Sequence, residues 1–232
     1  MIKLNHKNSP LYQEQNKLSE QFLHYNSSLF EDRQLLELLL SSCHEQTELK
    51  SLIEELLLRF GNIRGIIHAD SRLIKNIPNI NNQTLTAIKL ARELTIRSMK
   101  QQMQQKLIIE NWSTLIKYCQ LLLLNLHHEQ MHAMFLNKKL QLITDELIGE
   151  GTTGNVEIDC SSLIQKALSL CASYLILVHN HPSGEAQPSE SDIINTTKIF
   201  YALEKVNIQI YDHIIIAAAN EQYYSFRNSG LI

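Results

Sequence analysis

The sequence predicts an α/β protein in which a small helical N-terminal domain precedes a sheet flanked by helices. Three observations favour this fold class. Apolar residues recur every three or four positions through much of residues 28–104, the period of an amphipathic helix. After residue 105, segments with helical period are interspersed with segments of strand period. Within this half, the continuous apolar run Tyr174–Val178 is typical of a strand covered on both faces.

The N-terminal elements follow from apolar spacing and from helix start and stop signals. Residues 1–27 are polar and are interpreted as an N-terminal arm. One helix is predicted from Glu31, with an acidic first turn, and a second over residues 49–60, ending at Gly61. A further helix is predicted from Asn82 to about Met103. The polar run 101–106 is the expected linker, which divides the chain into 1–27, 28–104 and 105–232.

Residues 77–89 resemble a helix-hairpin-helix element, whose glycine-lined turn binds DNA phosphates in other proteins. Asparagines occupy its two glycine positions, at Asn79 and Asn81. Asparagine tolerates the left-handed backbone conformation better than most residues, so the turn is expected to keep its fold. Close approach of a phosphate is less favoured. The basic residues of the following helix are interpreted as a solvated face: Lys89, Arg92, Arg97 and Lys100.

The C-terminal half alternates between helices and strands. Helices are predicted over 111–126, 161–172 and 189–206, and strands over 129–136, 139–148, 174–178, 207–218 and 223–226.

Charge and composition restrict the class of protein. A hydrophobic fraction of 44% is enough for a core. Residues 1–104 contain 13 Lys/Arg and 11 Asp/Glu, a net charge of +2, whereas residues 105–232 contain 8 and 13, a net charge of −5. A mildly acidic half is a poor platform for nucleic acid, so we expect weak or no nucleic-acid binding.

The cysteines and the apolar runs indicate the compartment. The four cysteines show no CxxC pairing, which is typical of reduced thiols rather than of disulfides or a thiolate zinc site. The first twenty residues are polar, and every apolar run is far too short to span a membrane. We therefore expect a soluble cytoplasmic protein with no membrane contact.

Residues 179–192 carry the clearest chemical signal. His179 and His181 are separated by one residue, so their side chains project from the same side of an extended strand end. A short loop bounded by prolines can return Asp192 beside them from the first turn of a helix. Two imidazoles and a carboxylate suit Zn²⁺ with one coordination position left for water. Ser189 and Asp192 also have the spacing of a helix N-cap and its acidic partner.

The pattern resembles the signature of the JAB/MPN metallopeptidase family, the JAMM motif. The segments 177–184 and 211–216 resemble its bacterial RadC-like branch, and the resemblance covers residues 105–232 well and 28–100 more loosely. It implies a JAB/MPN mixed sheet flanked by helices, with His179, His181 and Asp192 as zinc ligands and Ser189 as the oxyanion stabiliser.

The family also requires a glutamate on an early strand as general base, and Glu129 is the best candidate. It begins a predicted strand on the same face as Met131, Ala133 and Phe135. An unpaired carboxylate is costly on such an apolar face, and a nearby zinc-bound water is a reason for it to be there. The alternative is that Glu129 lies at the exposed entry of the strand.

Three features lie outside this pattern. RadC-like proteins usually have a Pro-Arg-Glu stretch before the histidine strand, whereas this chain has Ile-Asp-Cys-Ser at 158–161. His127, His128 and His132 crowd near Glu129, but their spacing matches no ligand set and they are assigned to solvent-side positions. His213 is either a hydrogen-bond partner of a ligand or a packing residue.

The resemblance implies a zinc-dependent hydrolase of a peptide or isopeptide bond, with a protein or peptide substrate. RadC-like proteins are often labelled DNA repair proteins. The alternative is therefore a non-catalytic DNA- or protein-binding module that keeps a structural metal site. The scissile bond and the oligomeric state do not follow from the sequence.

Overall fold

The computed structural model describes residues 10–44, 46–124, 126–152, 155–156, 158–217 and 222–232. The chain divides into two compact units, Met1–Leu94 and Thr95–Ile232, and the division falls inside a long helix. Among the described residues, no helix is long and apolar enough to cross a bilayer.

The first unit is helical. Its helices are α1 (Pro10–His24), α2 (Asp32–Leu40), α3 (Gln46–Phe60), α4 (Ile63–His68), α5 (Ser71–Lys75) and the first part of α6 (Asn82–Gln105). Part of the predicted N-terminal arm is thus helical. The apolar residues predicted for α2 and α3 form its core with later aliphatic residues, among them Leu36, Leu40, Leu56, Ile66 and Ile88.

Local signals set the ends of these helices. Glu31 and Gln34 form a reciprocal capping box at the start of α2, which satisfies backbone N–H groups that have no partner within the helix. Gly61 follows α3 with φ +84°, a conformation that side-chain-bearing residues rarely adopt. The predicted helix from Glu31 and the predicted stop at Gly61 therefore correspond to structural ends.

The two asparagines of the hairpin have different roles. Asn79 has φ +64° and takes the left-handed position expected of the turn. Asn81 instead caps α6: its Oδ1 accepts a hydrogen bond from the Thr84 amide at 2.8 Å, and its Nδ2 donates to the Cys43 carbonyl at 2.9 Å. Asn81 therefore replaces a turn glycine with a helix cap.

The run expected as a linker is mostly helical, because α6 continues to Gln105. Glutamine, methionine and lysine have good intrinsic helix propensity, and a polar composition does not by itself end a helix. Met103 is buried with the core of the second unit.

The second unit contains the predicted sheet flanked by helices, and the fold class is confirmed. After α7 (Trp112–Leu123), the strands are β1 (Glu129–Leu136), β2 (Leu142–Thr152), β3 (Asn155–Val156), β4 (Tyr174–His181), β5 (Gln209–Ala217) and β6 (Tyr223–Ser225). The helices α8 (Cys160–Ser169) and α9 (Glu190–Glu204) flank β4 in sequence. The spatial order is β3-β2-β1-β4-β5-β6, with β4 and β5 parallel and the other pairs antiparallel.

Each face of the sheet has its own core, because side chains alternate along β4. Ile176 and Val178 pack with residues of α7, whereas Leu175 and Leu177 pack with residues of α8 and α9. This alternation, continued by two residues, places His179 and His181 on the α8/α9 face at the end of β4.

We predict that Asn79→Ala lowers the free energy of unfolding by about 1 kcal/mol, because a left-handed conformation strains a residue that bears a Cβ. Asn79→Gly should equal or exceed the wild-type stability. Urea denaturation measures both effects. Asn76→Ala is the matched control, since Asn76 has φ −80°. Equal effects at the two positions would contradict the assignment of strain to Asn79.

Candidate metal centre

Strand β4 carries the two predicted imidazole ligands into the protein interior. His179 and His181 are 1% and 8% exposed. The loop that follows β4 begins with a hydrogen bond between His181 Nδ1 and the Glu185 carbonyl, which are 2.8 Å apart. Because a carbonyl only accepts, Nδ1 carries the hydrogen, and Nε2 of a neutral His181 presents its lone pair to the site.

The start of α9 returns Asp192 to these imidazoles. Ser189 is the N-cap: its hydroxyl accepts from the Asp192 amide at 3.1 Å, and the Asp192 carboxylate accepts from the Ser189 amide at 2.7 Å. This is the reciprocal capping box expected from the sequence spacing. The cap fixes where the helix begins, and so it fixes the direction of the Asp192 carboxylate.

Three donor groups converge at one buried point. Nε2 of His179 lies 2.9 Å from Nε2 of His181. The Asp192 Oδ1 and Oδ2 atoms lie 3.2 Å from Nε2 of His179 and of His181, respectively. Among the residues that the structure describes, this is the one group of His, Cys, Asp or Glu side chains that could hold a metal ion.

The donor set fits a zinc ion. Two imidazole lone pairs at 2.9 Å repel each other unless a positive charge lies between them. Zinc bonds of about 2.0–2.2 Å at tetrahedral angles separate neighbouring ligand atoms by roughly 3.3 Å, close to the separations found here. A further hydrogen bond orients each imidazole through its second nitrogen, as is usual for histidine ligands of metals.

The close approach of these groups shifts the pKa values of both Asp192 and His181. Burial acts to raise the pKa of the Asp192 carboxyl, but hydrogen bonds with His179, His181 and Ser189 lower that pKa far below its ordinary value. Burial acts to lower the pKa of His181, but hydrogen bonds to Asp192 and Glu185 and the negative charges of Asp192 and Glu129 raise it above its ordinary value of 6.5. The two pKa shifts therefore both favour a positive charge at the point where these side chains meet.

His213 lies directly behind His179. Its Nε2 is 2.8 Å from Nδ1 of His179, and its ring stacks on Phe226 with centroids 4.5 Å apart. Burial, together with the nearby positive charges of His179 and His181, lowers the pKa of His213 well below its ordinary value, against an opposing effect of Asp192. Of the two roles considered from the sequence, hydrogen bonding and packing, the structure shows both.

The structure places Glu129 beside the cluster. It begins β1 and is 6% exposed. Met131 pairs with His179 across the β1–β4 ladder, so Glu129, two residues earlier on the same face, lies toward His181. Its negative charge acts on His181. Glu129 is therefore a buried carboxylate next to the candidate ligands rather than an exposed residue at the strand entry.

Asn180 holds this part of β1 in place and was not singled out from the sequence. Its Oδ1 accepts from the Gln130 amide at 2.9 Å, and its Nδ2 donates to the His128 carbonyl at 3.0 Å. These two hydrogen bonds hold the backbone in place on either side of Glu129. The sequence feature that could have indicated this role is the position of Asn180, a polar residue between two candidate ligands. Strand alternation places its side chain on the opposite face of β4.

The position of Ser189 has a consequence for its expected catalytic role. Its hydroxyl is 2.6 Å from Asp192 Oδ2 and donates its proton there. Oxyanion stabilisation therefore requires this hydroxyl to turn from Asp192 toward a substrate, and this role remains a prediction.

The other histidines near Glu129 divide into two kinds. His127 and His128 are exposed, as expected. His132 is 7% exposed and lies on the α7 face of β1, so its assignment to a solvent-side position was wrong. Helix α7 covers that face, and burial lowers the pKa of His132. Strand alternation correctly places His132 on the face of β1 opposite Glu129, but its low solvent exposure depends on the helix that covers this face.

The segment 158–161, which departs from the family pattern, still starts a helix. Asp159 is the N-cap of α8, and its carboxylate accepts hydrogen bonds from the amides of Ser161 and Ser162 and from the Ser162 hydroxyl. An aspartate cap thus provides the helix start without the Pro-Arg-Glu stretch.

We predict that Asn180→Ala lowers the free energy of unfolding by about 1–3 kcal/mol, because it leaves two part-buried backbone groups, the Gln130 amide and the His128 carbonyl, without their side-chain partner. Urea denaturation measures the loss, and faster hydrogen exchange of the Gln130 amide localises it. Asn111→Ala is the control, since it removes a single half-buried bond to the Leu107 carbonyl. Unchanged exchange at Gln130 would contradict this role of Asn180.

Comparison with known proteins agrees with the geometry. Residues 109–231 match the family described as the RadC-like JAB domain. A UPF0758 protein of Rhodobacter capsulatus is 32% identical over 215 residues, which cover 93% of this chain and 100% of that relative. His179, His181, Asp192, Ser189 and Glu129 lie within the matched range 109–231. The chain therefore belongs to the family of RadC-like JAB domain proteins.

Proposed function

We propose that this protein is a zinc-dependent hydrolase of the JAMM type that acts on a peptide or isopeptide bond. The observation that carries the proposal is the convergence of His179, His181 and Asp192 at a buried point, with the buried carboxylate of Glu129 on the same side of the sheet. A metal site with a structural role alone would have no need of a second, non-ligating carboxylate held beside it.

In this proposal His179, His181 and Asp192 hold the zinc ion. When bound, zinc lowers the pKa of a water molecule and polarises a substrate carbonyl. Glu129 accepts the proton of the attacking water and returns it to the leaving amine. The Ser189 hydroxyl, turned from Asp192, stabilises the negative charge that develops on the carbonyl oxygen. Asn180 keeps Glu129 in position through the backbone of β1.

Burial suits Glu129 to this role. A carboxylate in an apolar environment is costly unless a positive charge lies nearby, and a zinc ion held by His179, His181 and Asp192 would provide one. Two other carboxylates, Glu150 and Glu110, are less suited to act as the base. Glu150 is exposed and accepts a hydrogen bond from Gln130, a residue of the opposite face of β1, and Glu110 is exposed in a turn before α7.

The charge pattern supports a protein or peptide substrate over nucleic acid. The second unit is acidic, and Lys100 of the basic face on α6 pairs with Asp145 at 2.6 Å. We therefore propose weak or no nucleic-acid binding.

We predict that the protein binds close to one zinc ion per chain and that His179→Ala/His181→Ala abolishes this binding. Elemental analysis after dialysis against zinc measures the stoichiometry. Zinc must displace the proton from His181, whose pKa is raised. Apparent affinity should therefore fall as the pH is lowered through that pKa, which competition with a chromophoric chelator measures. His127→Ala/His128→Ala is the matched control on exposed histidines. Absence of zinc binding in the wild type would refute the proposal.

We predict that Glu129→Gln keeps zinc content and fold but lowers the hydrolytic rate by at least about 10²-fold, because the amide cannot accept a proton. The zinc-loaded protein is incubated with a peptide library and with a library of peptides joined through lysine side chains. Mass spectrometry of newly formed amines identifies the bond cleaved and gives its rate.

Glu150→Gln is the matched control and should retain the wild-type rate. Loss of zinc in Glu129→Gln would make Glu129 a ligand instead of a base. A wild-type protein that binds zinc and cleaves neither library would favour the alternative, a binding module with a structural metal site.

A further inference from the structure

The two candidate ligands His179 and Asp192 are joined by a second path that does not pass through the metal position. It runs from His179 to His213 of β5, then to Thr196 of α9, and back to the backbone of Asp192. His213 and Thr196 are 0% and 2% exposed. The path therefore links β4, β5 and α9 by hydrogen bonds from which water is excluded.

The direction of each hydrogen bond follows from the chemistry of its partners. The Asp192 carbonyl can only accept, so the Thr196 hydroxyl donates its single hydrogen there, at 2.5 Å. The Thr196 oxygen can then only accept from Nδ1 of His213, which is 2.6 Å away. Nδ1 of His213 consequently carries the hydrogen of a neutral ring, and its Nε2 is an acceptor.

The same reasoning extends to the candidate ligand. Because His213 Nε2 accepts, Nδ1 of His179 donates across the 2.8 Å between them. A neutral His179 with hydrogen on Nδ1 has a bare Nε2, and this atom faces His181 and Asp192. The opposite tautomer would place a hydrogen on Nε2, where it would donate to Asp192 and close the site to a cation.

We propose that His213 is a positioning residue that sets the tautomer of His179, and that Thr196 in turn sets the tautomer of His213. This inference rests on the proposed metal site for its purpose. Its physical content, the position of one hydrogen in the metal-free protein, does not depend on zinc. Metal-binding histidines commonly donate to a carboxylate or carbonyl, whereas here a second imidazole is the acceptor.

A role for His213 in packing alone leads to different expectations. Its ring stacks on Phe226 with an interplanar angle of 24°, and this contact requires only an aromatic ring. His213→Phe keeps a ring but removes the acceptor, whereas His213→Gln loses the ring and keeps an amide oxygen for His179. At the next step, Thr196→Val keeps the shape and removes the hydroxyl, whereas Thr196→Ser keeps the hydroxyl.

The test reads the hydrogen directly. Long-range ¹H–¹⁵N correlation spectra of the zinc-free, full-length protein, recorded at mildly alkaline pH, show which ring nitrogen of His179 bears hydrogen. The zinc dissociation constant is measured on the same samples by competition with a chromophoric chelator. We expect hydrogen on Nδ1 alone in the wild type, a mixture of tautomers in His213→Phe and Thr196→Val, and zinc binding weakened by about 10- to 100-fold in both.

Rescue separates positioning from packing. His213→Gln and Thr196→Ser should return the tautomer and the zinc affinity to within a few-fold of wild type. Ser225→Ala is the matched control, since it removes a buried hydroxyl that donates to Asp212 at 2.6 Å, outside the path. It should lower stability without changing the His179 tautomer or zinc binding.

Three outcomes would overturn the inference: a wild-type tautomer in folded His213→Phe and Thr196→Val, no rescue by His213→Gln and Thr196→Ser, or an equal effect of Ser225→Ala. Failure of the proposed function gives a different result. A wild-type protein that binds no zinc but shows the expected tautomers would refute the metal site and support the hydrogen-bond path.

Discussion

The site depends on one electrostatic constraint: three hydrogen-bond acceptors meet at a buried point. Nε2 of His179 and of His181 and the Asp192 carboxylate lie within about 3 Å of one another, an arrangement that requires a cation or a proton between them. The pKa of Asp192 is lowered and that of His181 is raised for this reason. The surrounding hydrogen bonds aim these acceptors inward, and the site is prepared for a positive charge before any metal binds.

The ends of two secondary-structure elements position the three side chains of the site. His179 and His181 leave the end of β4, and Asp192 belongs to the first turn of α9, where the Ser189 capping box fixes it. One hydrogen-bond motif therefore both starts the helix and directs the carboxylate. A substitution at Ser189 should therefore affect both the stability of the helix and the position of the Asp192 carboxylate, whereas substitutions at His213 or Thr196 should act on His179.

The sheet separates the chemistry on its two faces. Glu129 and the two candidate histidine ligands belong to the α8/α9 face. His132 and Gln130 lie on the α7 face, and Asn180 turns its amide toward the backbone next to Glu129. A shift of β1 by one residue would exchange these faces and remove Glu129 from the site. The two bonds of Asn180 to β1 oppose such a shift close to the residue that matters most for catalysis in the proposed mechanism.

Local sequence determined the elements whose causes are local. Periodicity and short-range hydrogen bonds explain four of these elements: the strand at 129–136, the helix start at Glu31, the helix end at Gly61, and the capping box of Ser189 and Asp192. The spacing of His179, His181 and Asp192 indicated the set of candidate metal ligands. The rest depended on contacts between segments distant in the chain. Three features could not be predicted from sequence periodicity, because they join residues far apart in the chain. They are the burial of His132 under α7, the hydrogen bonds of Asn180 to the backbone next to Glu129, and the path through His213 and Thr196. Hydrogen-bond direction at a buried site depends on all partners at once, so only the tertiary structure decided which nitrogen of His179 faces His181 and Asp192.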